Sequence, residues 1–177
     1  MHESERDNPV DAGEFSLWLT EMHGALRGER AADVPCNGCT ACCTSSQFVH
    51  IDPDETETRA HIPPELLFPA PNLPEHFLMG YDEHGHCPML IEGRCSIYAN
   101  RPRACRTYDC RVFTATGVEL DDSTKTEIAA RVARWRFRYD SPAARAEHDA
   151  LRDHARSAAG TSPTERAVVS VRSYTRP

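Results

Sequence analysis

The chain has 177 residues, 40% of them apolar and 27% charged, which suits one globular domain of ordinary size and is short for two. A formal charge of −7 and a pI near 5.7 argue against nucleic acid as a partner, because a polyanion is repelled at long range. No run is apolar and long enough to span a bilayer, and the opening "MHESERDNPVDAGE" lacks the basic and apolar blocks of a signal peptide, so a cytoplasmic protein without membrane contact is expected.

In chain order, Phe15, Trp18, Leu19, Met22 and Leu26 recur at three- and four-residue steps and Gly28 ends the pattern, which predicts a helix over 13–27. A loop rich in Pro, Asn, Gly and Ser follows. "QFVHI" reads as a short strand, closed by "DPDET", where Asp52 is placed to cap a short helix with Pro53 at its first position. His50, behind an apolar pair, reads as structural. Five prolines in residues 62–76 predict a surface loop. The stretch "FLMGYDEHGHCPMLIEGRCSIY" alternates short apolar runs with turns at His84-Gly85 and Glu92-Gly93, the pattern of a small antiparallel hairpin or meander. "NRPRACRTYDC" suggests one or two helical turns started by Pro102. Ile128, Val132, Trp135 and Tyr139 share one face of a predicted helix over 123–139. Ser141-Pro142 opens an Ala-rich helix to about 159. Ser162-Pro163-Thr164-Glu165 has capping-box order for a last helix, while the β-branched "AVVSV" keeps a strand open.

The eight cysteines, at 36, 39, 42, 43, 87, 95, 105 and 110, all fall within one segment. In a reducing compartment such clustering points to metal or redox chemistry, not to disulfides. A C-x-x-C unit lets the backbone turn so that both sulfurs reach one ion at about 2.3 Å. Cys36, Cys39 and Cys42 overlap two such units, as at the start of a bacterial ferredoxin run, and Cys87-Pro88 resembles the Cys-Pro of the fourth ligand there. Neighbours in extended backbone point to opposite sides, so Cys43 more easily serves a second centre, or bridges, than joins Cys42 on one ion. The expected ligands are therefore Cys36, Cys39, Cys42, Cys43, Cys87, Cys95, Cys105 and Cys110, in two centres or one polynuclear centre.

Four thiolates around a divalent ion or an oxidised cubane carry net charge −2, which calls for compensating cations. Arg94, Arg101, Arg103, Arg106 and Arg111 crowd the second half of the segment, and Arg106, beside Cys105, is the leading candidate to contact the bound group. His84 and His86 flank Cys87 and read first as solvated turn residues, with metal ligation the alternative. Asp109 reads as a cap or arginine partner more readily than as a ligand to hard iron. "RVARWRFR" (131–138) reads as an amphipathic helix face, with a protein-partner or nucleic-acid surface as the alternative. There is no HExxH, phosphate-binding loop or serine-triad signature.

The residues "CNGCTACC" (36–43), "CPML" (87–90), "CSIYANRPRACR" (95–106) and Cys110 resemble the zinc- or iron-chelating cysteine-cluster family, of YkgJ type with a CxxCxxCC signature. Where that family usually continues after Cys-Arg with phenylalanine, this chain has "CRTYDC", so Tyr108 takes the aromatic position. The resemblance implies zinc or iron as cofactor, a 4Fe-4S cluster being one form of the iron reading, and no uniform reaction. The expectation is thus an α+β protein, mainly helical, with a small antiparallel hairpin and irregular loops organised around a cysteine-ligated metal centre. It treats 1–177 as a single domain, 36–110 as the metal-binding core and 111–177 as a helical C-terminal part. Two functions stay open: a cytoplasmic metal-binding protein with closed thiolate sites, and a metalloenzyme whose polynuclear iron or iron–sulfur centre keeps an open position for a small molecule or protein substrate. The apolar stripes of the helices at 13–27 and 123–139 need a surface, and the metal-bound cysteine region is expected to supply it.

Overall fold

A computed structural model describes residues 8–30, 34, 38–120 and 123–176, with backbone alone at Thr124. The chain divides into two compact units, one made of Met1–Ala32, Asp109–Ser123 and Ile128–Pro177, the other of Asp33–Tyr108 and Thr124–Glu127. The architecture is α+β, with helices and small sheets. Among the described residues no helix is long and apolar enough to cross a membrane.

The first unit opens with β1 (Val10–Glu14), which runs straight into α1 (Phe15–Leu26). Glu14 makes the junction, its two carboxylate oxygens accepting from the N–H groups of Ser16 (2.9 Å) and Leu17 (2.6 Å) and satisfying donors that a helix start leaves without partners. Phe15, Trp18, Leu19 and Met22 are buried, as their spacing predicts. α4 (Arg111–Thr116) ends at Gly117, whose left-handed φ of 69° is open to glycine at little cost. α6 (Pro142–Ala155) and α7 (Pro163–Ser173) begin where Ser141 and Ser162 accept from Ala144 and Glu165. The strand option for "AVVSV" is not taken.

The predicted helix over 123–139 is shorter than expected. A 3₁₀ turn at Ser123–Lys125 and α5 (Thr126–Arg134) give way to β7 (Trp135–Arg138). β7 pairs in parallel with β1, Val10 opposite Trp135 and Glu14 opposite Arg138. The reason lies in the period: Trp135 and Phe137 are buried while Arg136 and Arg138 are exposed, an alternation of two that only a strand can satisfy. The aromatic residues of "RVARWRFR" therefore face a core, and Arg131 lies over the Trp135 ring at 4.4 Å. The fully buried Phe15, Leu19, Phe113, Ile128, Trp135, Leu151 and Val171 belong to elements of this unit, in which α4 packs on α6 and α7, and α1 on α6 and α7. Within this unit the apolar stripe of α1 finds a surface on α6, α7 and β7.

The second unit holds a three-stranded antiparallel sheet of order β2-β4-β3, from β2 (Val49–Ile51), β3 (Leu67–Pro69) and β4 (Phe77–Met79), and a hairpin of β5 (Leu90–Ile91) and β6 (Arg94–Cys95). The hairpin turns at Glu92 and Gly93, both with positive φ, the geometry that matches strand twist. The proline segment is not all loop: Pro64–Leu66 forms a 3₁₀ turn and β3 follows on the sheet edge, where Pro69 costs no internal ladder bond. α2 (Thr56–Ala60) starts later than expected, capped at Glu55 instead of Asp52. Glu55 reaches back to accept from the N–H of Asp52. α3 (Arg103–Thr107) begins after Pro102, as predicted, and packs on β2. The core here is small: Val49, Ile51, Ile62, Met79, Met89 and Ile97, with Cys87, Cys95 and Ala104 against it.

Candidate metal centre

Cys42 and Cys43 sit in a 3₁₀ turn over Ala41–Thr44, a shape set by small residues between turn formers. Two backbone bonds join this turn to the loop before the hairpin: Cys87 N–H donates to the Cys43 carbonyl (2.7 Å), and Ser46 N–H to the Gly85 carbonyl (2.9 Å). Cys43 and Cys87, 44 positions apart in sequence, are thereby held side by side. Cys95 enters from β6, opposite Leu90, and Cys105 from the middle of α3. Cys39, Cys42, Cys43, Cys87 and Cys95 are partly buried, while Cys105 keeps exposed surface. Cys36 lies outside the described residues.

Electrostatics tie four of these sulfurs together. Desolvation first, then the charges of Cys87, Cys43 and Cys95, push the Cys105 thiol up to about 12, against the pull of Arg101. The exposed edge of Cys105 and this desolvation describe different things: one side meets solvent, while the sulfur itself is crowded by protein. Burial also raises Cys87, opposed by the backbone N–H groups of Met89 and Leu90, with Cys95 adding to the rise. Thiolates near one another disfavour each other, and among the described residues no three cysteine sulfurs lie within 4.8 Å of one another. A divalent cation removes that conflict by replacing the protons. The N–H donors at Cys87 favour a thiolate, as donors to ligating sulfur do in metal sites. The donor set of Cys43, Cys87, Cys95 and Cys105 therefore fits zinc or iron in its chemistry.

The other candidates are placed as follows. Arg106 lies 3.7 Å from Glu55, whose side chain is buried; Glu55 also accepts from the backbone N–H of Arg103. Arg106 thus helps pin α3, and Arg101 is an arginine whose charge acts on a cysteine. Arg101 also stacks on Tyr98 at 4.1 Å. Arg94 is exposed on β6. The N–H groups of His84 and His86 both donate to Asp82 Oδ1, at 2.9 and 2.8 Å, which fixes the turn before Cys87. Tyr108 closes α3 at its C-cap.

Asp109, Cys110 and Arg111 belong to the first unit. Asp109 is buried and both its oxygens accept: Oδ2 from the Trp18 indole (2.8 Å) and Arg111 (2.7 Å), Oδ1 from Arg111 N–H (2.9 Å). It is an arginine partner and a cap. Arg111 also donates to the Ala12 carbonyl at 3.0 Å, anchoring β1. Cys110 is buried, and the Trp135 indole donates to its sulfur at 3.2 Å.

Sequence reasoning missed Glu55 as the buried anchor of α3, although its spacing three residues after Asp52 is that of a reciprocal turn cap. It also missed the amide donors of Met89 and Leu90, which no side-chain pattern signals. The chain matches no curated protein and no solved structure. Residues 35–131, more than half of the chain, match the CxxCxxCC family, described as "Putative zinc- or iron-chelating domain", and the chain belongs to that family.

Proposed function

We propose that this chain is a metal-binding protein of a reducing compartment such as the cytoplasm, holding zinc or iron through Cys43, Cys87, Cys95 and Cys105. The observation that supports the reading is the action of Cys87, Cys43 and Cys95 on the Cys105 thiol, together with the amide donors at Cys87. Cys36, Cys39 and Cys42 are the sulfurs of a second centre, with 4Fe-4S as its iron form, and Cys110 is the remaining candidate ligand. Thiolates bind such ions only when deprotonated, so loading releases protons and strengthens as pH rises. Arg101 offsets part of the negative charge. Arg106 supports the centre through Glu55, by holding the helix that carries Cys105.

The exposed edge of Cys105 favours a second reading, in which the centre has an accessible side and the protein is a metalloenzyme acting on a small molecule or a protein. Metal analysis with an absorption spectrum on anaerobically purified protein tests the main reading. Tightly held zinc, iron or a brown iron–sulfur chromophore is expected, with Cys43→Ser and Cys39→Ser losing different metal atoms. Eight freely titrating thiols in folded, metal-free protein overturn it.

A further inference from the structure

At one end of the three-stranded sheet, β2 and β4 bring together three side chains that the cysteine chemistry does not use. Ile51 pairs with Phe77 and His50 with Leu78, so Asp52 and His76 flank the last pair. Val49 and Ile51 point into the core, and alternation sends His50 to the other face. The His50 and His76 rings stack at 14° with centroids 4.9 Å apart. His76 Nδ1 lies 3.0 Å from His50 Nε2 and 3.5 Å from Asp52 Oδ1. Each of the three residues offers one ligand atom within 4.8 Å of the others.

We propose that His50 Nε2, His76 Nδ1 and Asp52 Oδ1 form a further metal site, chemically distinct from the thiolate centres, for a borderline divalent ion such as zinc or ferrous iron. The spacing is the argument. Ligands 2.0–2.1 Å from a tetrahedral ion stand about 3.3 Å apart, and the separations of 3.0 and 3.5 Å straddle that value. Two neutral imidazoles in contact share a single bridging proton; a divalent ion displaces it when the nitrogens open from 3.0 Å to about 3.3 Å and the rings turn so that both lone pairs meet on the ion. The carboxylate is already oriented: Arg103 donates to Asp52 Oδ2 at 2.7 Å, as outer partners of metal ligands do, and leaves Oδ1 to the ion. The cationic charge of Arg103 is offset in turn by Asp54 at 2.6 Å. The three side chains keep 38%, 26% and 28% of their surface exposed for His50, His76 and Asp52, which gives an entry path and leaves coordination positions for water or a small anion. Two histidines and one carboxylate with open positions is a donor set suited to ferrous iron and zinc, and unlike a closed thiolate site it is reactive.

The test is titration of the whole protein with cobalt(II), which gives strong sulfur-to-metal charge-transfer bands on thiolates and only weak visible bands on nitrogen and oxygen. After the charge-transfer bands saturate, one further cobalt is expected to bind without adding to them. His76→Ala, His76→Gln and Asp52→Asn should each weaken that ion by more than about tenfold, the least expected when metal-site support is lost, while the thiolate bands persist as the check on folding. Cys43→Ser and Cys105→Ser should do the reverse. Failure of the thiolate bands alone would sink the cysteine reading and leave this one standing, since zinc-induced changes in the imidazole nitrogen resonances of His50 and His76 report the histidine site independently. No further cobalt in the wild-type chain, or equal affinity in folded His76 variants, overturns the proposal.

Discussion

The two units solve the same problem by different means. The helical unit buries Phe15, Leu19, Phe113, Trp135, Leu151 and Val171 completely, and its charged groups are paired inside, as at Asp109 and Arg111, 2.7 Å apart. The cysteine unit has six buried apolar residues in its cluster, strands of two or three residues, and polar ties such as Glu55. Ordering each backbone residue costs roughly 1–2 kcal/mol. A small core offsets little of that, so the cysteine unit depends on cross-links, whereas the helical unit has the apolar burial to hold itself. The comparison predicts that metal dependence is confined to the cysteine unit.

The largest effect should come from metal removal. Structural zinc contributes about 10–16 kcal/mol in small peptides, more than the stability of a typical domain. With a chelator under reducing conditions, amide exchange should lose its protection across residues 38–108 and keep it in α1, α6 and α7. Native-like protection of the hairpin in verified apo-protein would break the comparison.

Next comes Leu151→Ala in α6, where a fully buried side chain leaves a cavity costing about 2–5 kcal/mol. Denaturant melts should show that loss with and without metal, and metal content per folded chain should not change. A Leu151→Ala protein that sheds its metal while folded would show the two units to be one cooperative system. A smaller effect is expected for Glu55→Ala, which leaves the Asp52 and Arg103 amides without their acceptor at a cost of about 1–3 kcal/mol. It should appear as faster exchange in α3 and weaker metal retention, with α6 unaffected.

The smallest is a pH effect in the helical unit. His148 is buried against Phe15, and its Nδ1 meets the Tyr139 hydroxyl at 2.7 Å. Burial first, and Arg152 after it, pull its pKa below 6.5, against the Thr114 and Ala115 carbonyls and Asp149. The unfolded chain then binds the proton more readily than the folded one. Stability conferred by the neutral ring is complete above about 6.5 and falls as pH drops from there to the folded-state pKa. Thermal melts of wild type and His148→Gln between pH 7.5 and 5 should converge at the acid end; parallel curves would remove His148 as the cause.

Much of this was legible in the chain because the signals were local. The stripe of Phe15, Trp18, Leu19 and Met22, the serine caps at 141 and 162, and the Glu92-Gly93 turn each carry their own geometry within a few residues. β7 was not legible as a strand, since Trp135 fits a three-to-four-residue step from Ile128 and Val132 as well as an alternation with Phe137. Only β1, 125 positions away at Val10, decides between them. β3 hid for a different reason: its partner β4 is the next strand in the chain, but the prolines around it mask the strand pattern.

At the site the same division holds. Cysteine spacing by itself marked the metal chemistry, but the expectation that Cys43 diverges from Cys42 assumed extended backbone, and the two sit instead in a 3₁₀ turn. The tertiary structure decided which elements carry the cysteines and which of those elements lie side by side. It brought Cys43 to Cys87 through a single backbone bond, carried Cys105 in on a helix pinned by Glu55, and assigned Cys110 to the other unit beneath Trp135. It also joined His50, Asp52 and His76, residues that look unrelated along the chain. Spacing fixes ligand geometry only over a few residues, while convergence from 40 or more positions away depends on strand register and on which amides, carboxylates and sheets close the loops between.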